Sequence, residues 1–225
     1  MSALVQLYFA DTAELSDPGV LAEAMDAAAS ERRARAQRTR SDAARAQILT
    51  AGLLLRRALS AAGVPEAEQD YAAGPFGKPY LPARPDVHFS LSHSGSRVLC
   101  AVADRPVGCD IQEMRPCSLR LAERWYTDAE QQRVFSQTGE DARLEMFYRI
   151  WTLKESFIKY TGRLDRPIRE LCFSRDGDTI RIPESRLHCA VYDLYPCRAA
   201  VVGAETPPET CIYVPPEALV DFPTV

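Results

Sequence analysis

Asp110, Glu155 and Lys159 are the residues of this chain best suited to do chemistry, and each sits in a segment whose pattern predicts its surroundings. Val107-Gly-Cys-Asp-Ile-Gln112 reads as a strand with Val107, Cys109 and Ile111 on one face and Gly108, Asp110 and Gln112 on the other. Trp151-Thr-Leu-Lys-Glu-Ser-Phe-Ile-Lys159 reads as a helix with Lys154, Glu155 and Lys159 within about one turn of each other. A carboxylate on a strand facing a carboxylate and two lysines on a helix is what a hard metal ion and a polyphosphate need.

On a helical wheel from Phe147, residues 147, 150, 151, 153, 157 and 158 fill one broad apolar arc, and Lys154 falls in its middle. An ammonium there costs desolvation unless it snorkels or meets a negative partner, and the sequence leaves both open. Glu155 and Lys159 lie together at the arc's edge, spaced as an i,i+4 ion pair. Elsewhere, Arg32, Arg33, Arg35, Arg38, Arg40 and Arg45 crowd one stretch in which only Glu31 and Asp42 are acidic. A polyanionic ligand answers that cluster better, and guanidinium suits phosphate by its bidentate geometry. Lys78 stands between Gly77 and Pro79 in a turn, a cation on a rigid loop. Ser92-His93-Ser94-Gly95 ends a strand with small donors and a titratable ring. No Gly-x-Ser-x-Gly elbow accompanies it, and the histidines lack the ligand spacing of a zinc site.

Placing an acidic strand against that helix requires a particular order of elements. Leu4–Phe9 reads as a first strand and residues 21–62 as two helices, the second N-capped at Ser41-Asp42 and stopped by Gly63-Val-Pro65. Turn chemistry at Gly74–Pro79 leads into a strand through Val87, Phe89 and Leu91, followed by strands at 98–103 and 107–112. Helical segments at 119–137 and 141–161 precede short strands at 171–175, 179–182, 187–192 and 198–202. The Pro-rich tail after Thr206 reads as a loosely held extension with one short strand, 211–214. Helices first and an antiparallel meander after, twice over, is α+β rather than alternating βαβ.

With 225 residues, 46% hydrophobic and 26% charged, the chain has the composition of an ordinary soluble protein of one large domain or two small ones. A net charge of -4 gives no global argument for nucleic acid, and no aromatics interleave with the arginines. Seven scattered cysteines without Cys-x-x-Cys read as small buried apolar groups in a reducing compartment. The N-terminus lacks a basic segment followed by an apolar stretch, and no apolar run approaches about 18 residues, so the expected location is cytoplasmic, away from membranes.

Gly74–Tyr80, Phe89–Gly95, Gly108–Gln112 and Trp151–Lys159 fall in the order and spacing of the surfactin-synthetase-type 4′-phosphopantetheinyl transferases, which the chain resembles over most of its length. The resemblance implies a pseudo-twofold monomer of two similar α+β halves, residues 1–105 and 106–225, each with helices on a small antiparallel sheet and coenzyme A in the cleft between them. It implies transfer of the phosphopantetheine arm of coenzyme A to a serine of an acyl or peptidyl carrier protein, with release of 3′,5′-ADP. Asp110, Gln112 and Glu155 take the positions of ligands to Mg²⁺, or Mn²⁺ in its place. Glu155, Lys159 and Asp110 would be catalytic. Arg33, Arg45, Lys78, Ser92, His93, Lys154 and Lys159 would contact coenzyme A, Arg33 and Arg45 at its 3′-phosphate. The family commonly has Glu where this chain has Gln112, whose amide oxygen ligates without bringing charge. Leu119–Phe135, with Arg120, Arg124 and Arg133, is the expected carrier-docking segment. A non-catalytic coenzyme A or nucleotide-binding module is the alternative.

Overall fold

A computed structural model describes residues 5–163, 167–176, 179–181 and 187–220. Leu4 of the expected first strand and Ile182 of the strand expected at 179–182 lie outside the described residues. Strand β1 (Gln6–Asp11) leads into three helices, α1 (Pro18–Ala27), α2 (Ser30–Arg38) and α3 (Asp42–Ala61), where the sequence predicts two. The extra break has a cause: Arg33 donates to the carbonyls of Asp26 and Ala28, and Arg56 to that of Ala27, which closes α1. Asp17 caps the start of α1 by accepting from the N–H groups of Gly19 and Val20, and Ser41 does the same for α3 from Ala44.

A two-strand hairpin, β2 (Ala72–Ala73) with β3 (Pro79–Tyr80), precedes β4 (His88–Ser94), β5 (Arg97–Ala103) and β6 (Val107–Glu113). The stretch expected as helical over 119–137 is two helices, α4 (Arg120–Trp125) and α5 (Asp128–Phe135). Thr127 breaks it, because its side chain and that of Glu130 form a reciprocal capping box that starts α5 afresh. Helix α6 (Glu140–Thr161) ends at Gly162, whose φ of 71° is left-handed. Then come β7 (Ser174–Asp176), β8 (Thr179–Arg181), β9 (His188–Leu194), β10 (Cys197–Gly203), β11 (Ile212–Tyr213) and α7 (Pro216–Val220).

Among the described residues the strands form two larger sheets, ordered β11-β1-β5-β4 and β6-β10-β9-β8-β7. The α+β expectation holds. In the first sheet Tyr8, Ala10, Val98 and Cys100 pack with Leu49 and Leu53 of α3, while Leu7, Leu99 and Ala101 point the other way. Those three meet Cys109, Ile111, Ala199 and Val201 of the second sheet in a shared core. Leu153 and Phe157 of α6 cover the second sheet's other face at Ala200 and Val202.

The described part of the tail, through Val220, is anchored and not loose: β11 pairs in parallel with β1, the Val214 N–H donates to the Phe9 carbonyl, and Leu219 is buried in the first core. β4 and β6, the facing edges of the two sheets, are joined by side chains. Ser90, Ser92 and Ser94 accept from the backbone N–H groups of Cys109, Ile111 and Glu113 at 3.0, 3.3 and 3.0 Å. The constant advance shows the two strands running in the same direction. The seven cysteines are all free, and among the described residues no helix is long and apolar enough to cross a membrane.

Candidate active site

The two-residue period of β6 divides its side chains as the alternation predicts: Val107, Cys109 and Ile111 enter the shared core, and Gly108 and Asp110 face α6. Gly108 permits the approach, since a Cβ there would lie 2.1 Å from the Ser156 carbonyl oxygen and 2.3 Å from the Tyr160 nitrogen. Ser156 adds a second fastening by donating to the Ala200 carbonyl at 3.0 Å.

Asp110 is buried, and its carboxylate is fully engaged. Oδ1 accepts from Lys159 Nζ and from Ser92 Oγ, each at 2.7 Å, and Oδ2 accepts from Gln112 Nε2 at 3.1 Å. Gln112 Oε1 in turn accepts from Ser94 Oγ at 3.5 Å. Glu155 has no hydrogen-bond donor among the described residues. Burial, and next the charge of Asp110, push its carboxyl above the ordinary range, while Lys159 pulls it back. The charges of Asp110 and Lys159 thus both act on Glu155, and a cation would relieve the repulsion between the two carboxylates.

His93 lies beyond Ser92 on β4. Partial desolvation and the positive charges of Lys159, Arg35 and Arg32 hold its imidazole below the usual range, against the pull of Asp110. The charges of Lys159, Arg35 and Arg32 thus act together on His93. A cavity of about 280 Å³ is lined by Phe76, Lys78, Leu91, Ile158 and Lys159 among others.

Several expected contacts are placed otherwise. Lys154, expected to contact coenzyme A, is engaged inside the protein. It is fully buried, paired with Glu130 at 2.8 Å, and donates to the carbonyls of Ile168 and Leu171. Glu130, equally buried, also accepts from the N–H groups of Thr127 and Phe173. Arg33 caps α1, and Arg45 binds Asp42 and the carbonyls of Ala36 and Thr39, so both arginines are engaged in holding α1–α3 together. Lys78 donates to the carbonyls of Tyr160 and Val107, and burial holds its ammonium below the usual lysine range. The hydroxyl of Ser92 faces Asp110. Arg133 donates to the Phe173 carbonyl and is engaged there, whereas Arg120, Leu121, Arg124 and Phe135 are exposed on α4 and α5.

Arg32 and Arg35, members of the arginine cluster but not among the expected coenzyme A contacts, are the arginines whose charge acts on His93, and Arg32 also lies over the Tyr71 ring at 5.4 Å. Their spacing of three puts them on one side of α2, with Arg33 about 100° away, so helical phase was the available signal. Glu130 was also missed, although Thr127-x-x-Glu130 has the spacing of a capping box and Lys154 needed a negative partner.

Among the described residues no group of three or more His, Cys, Asp or Glu side chains converges as a metal cage. Asp110 and Glu155 offer two hard oxygen ligands, and Gln112 would add an amide oxygen once its side chain is turned end for end. That donor set fits a hard divalent cation that draws its remaining ligands from water and a bound phosphate.

The sequence model of the 4′-phosphopantetheinyl transferase superfamily matches residues 106–199, which include β6 and α6. A 4′-phosphopantetheinyl transferase of Bacillus subtilis is 34% identical over 148 residues, 64% of this chain and 66% of that protein. The 4′-phosphopantetheinyl transferase Sfp of B. subtilis strain 168 is 36% identical over 138 residues, 59% of this chain and 61% of that one. A third, the B. subtilis transferase named ffp, is 34% identical over 162 residues, 68% of this chain and 72% of its own length. The matched stretch thus spans about two thirds of these relatives. On this similarity the chain belongs to the 4′-phosphopantetheinyl transferase superfamily, among its surfactin-type members.

Proposed function

We propose that the protein transfers the 4′-phosphopantetheine arm of coenzyme A to a serine of an acyl or peptidyl carrier protein and releases 3′,5′-ADP. The observation that carries this reading is the pairing of Asp110 on β6 with Lys159, and through charge with Glu155, on α6. Arg32 and Arg35, whose charges act on His93, would receive the adenosine end of an extended polyanion.

Lys159 neutralises the pyrophosphate and the charge that develops on the leaving phosphate. Glu155, which accepts no hydrogen bond among the described residues and is raised toward neutrality, takes the proton of the attacking serine hydroxyl. Ser92 holds Asp110 in place from the opposite sheet. Asp110, Glu155 and the turned amide of Gln112 would hold Mg²⁺, or Mn²⁺. The ion when bound supplies charge neutralisation at the pyrophosphate. Arg32 and Arg35 replace Arg33 and Arg45 as the 3′-phosphate ligands in this proposal. A division near residue 105 into two pseudo-twofold halves, a monomeric state and a cytoplasmic location belong to the same proposal.

The test is direct: incubate the protein with coenzyme A, Mg²⁺ and several apo carriers, and measure intact mass. A gain of one phosphopantetheine group on a carrier is the expected result. Coenzyme A binding with no mass gain on any carrier would favour a non-catalytic binding module.

A further inference from the structure

We propose that Lys78 is a positioning residue that seats the end of α6 against β6, and that it does not hold a phosphate of coenzyme A. Its kinetic consequences rest on the transferase reading; its structural ones do not.

The turn that carries Lys78 is closed and rigid. Gly77 N–H donates to the Gly74 carbonyl at 3.1 Å and Gly74 N–H to the Lys78 carbonyl at 2.9 Å. Phe76 (φ 63°) and Gly77 (φ 82°) are left-handed, a conformation unusual for phenylalanine, and Pro75 and Pro79 restrict the flanks. Such a turn aims one side chain. Lys78 leaves it across Gly162, where an added Cβ would stand 3.1 Å from Lys78 Cδ, and its Nζ reaches the carbonyl oxygens of Tyr160 at 2.7 Å and Val107 at 3.3 Å.

Tyr160 belongs to the last turn of α6, where carbonyls have no partner inside the helix and a cation meets the negative end of the helix dipole. Val107 opens β6. One ammonium from the β2–β3 hairpin therefore joins the two elements that carry Asp110, Glu155 and Lys159. Two of its three donors are occupied in doing so, and among the described residues no carboxylate pairs with it. Only the third donor is left for any further acceptor.

Two variants and two measurements test the assignment. Lys78→Met should lower kcat about tenfold and leave KM for coenzyme A within about twofold, because α6 shifts while the phosphate contacts stay. The preference for coenzyme A over 3′-dephospho-coenzyme A should be retained. Lys78→Arg keeps the charge but not the compact ammonium, so it should show the same split at smaller size; it carries the test if Lys78→Met does not fold. In ligand-free hydrogen–deuterium exchange both variants should exchange faster than wild type at residues 158–162 and 107–110. A KM raised about tenfold at unchanged kcat would mark a phosphate ligand and overturn the proposal. Lost discrimination against dephospho-coenzyme A, or unchanged exchange, would overturn it as well. The exchange arm needs no turnover, so absence of transfer by the wild type would refute the transferase reading alone.

Discussion

At the scale of single residues, Asp110 is held by a lysine, a serine and an amide before any substrate arrives. The amide is the unusual member. Gln112 now donates to Asp110, and a glutamate there would lose that bond and add repulsion while offering the metal a third charge. Gln112→Glu should therefore lower the Mg²⁺ concentration for half-maximal transfer about tenfold, and it should also lower the melting temperature of the metal-free protein. Glu155→Gln removes the proposed base together with a ligand, and transfer should vanish at every Mg²⁺ level tested. A second residue-scale prediction separates the arginines. Arg32→Ala and Arg35→Ala should each raise KM for coenzyme A about tenfold, the size of one lost charge-assisted contact. Arg33→Ala should leave KM alone and lower the denaturation midpoint, since Arg33 closes α1. The sequence exposed the arginine cluster by composition, but only helical phase separates Arg32 and Arg35 from Arg33. Asp110 was legible because alternation along a strand fixes a face from very few residues.

At the scale of elements, the site depends on how closely α6 lies against β6. Gly108→Ala puts a methyl group into the backbone of α6, so the helix must move away. The expected outcome is a folded protein with kcat down about a hundredfold, the penalty of a displacement near 1 Å, checked by transfer kinetics and circular dichroism. The other side of α6 is pinned by Lys154. Lys154→Met leaves Glu130 buried without its counter-charge and should cost about 3–5 kcal/mol in urea unfolding, with KM for coenzyme A unchanged. The sequence showed that Lys154 was misplaced in an apolar arc and left its partner open. That partner sits twenty-four residues earlier, and only the packing of α5 on α6 brings the two together. The break between α4 and α5 was hidden for a different reason: both halves of that stretch are amphipathic, and the signal lay in a cap rather than in the periodicity.

For the whole molecule, the chain does not keep its two sheets as strictly successive pieces. Its tail returns to the first sheet through β11 and α7, and a two-residue strand with a distant parallel partner leaves no local pattern from which that return could be read. The exposed face of α4 and α5, with Arg120, Leu121, Arg124 and Phe135, is the carrier surface we propose. Because acidic helical carriers would meet Arg120 and Arg124 there, charge reversal at both should raise the carrier KM about tenfold without altering coenzyme A binding. Unchanged carrier kinetics would remove this surface from consideration. The serine seam between β4 and β6 has one more effect. Sheet edges ordinarily present bare backbone groups on which strands of other molecules can grow. Here the amide groups of Cys109, Ile111 and Glu113 are covered by hydroxyls of the neighbouring sheet. The join that sets the acid in place therefore also withdraws the β6 edge as an open template for self-recruitment into fibrils.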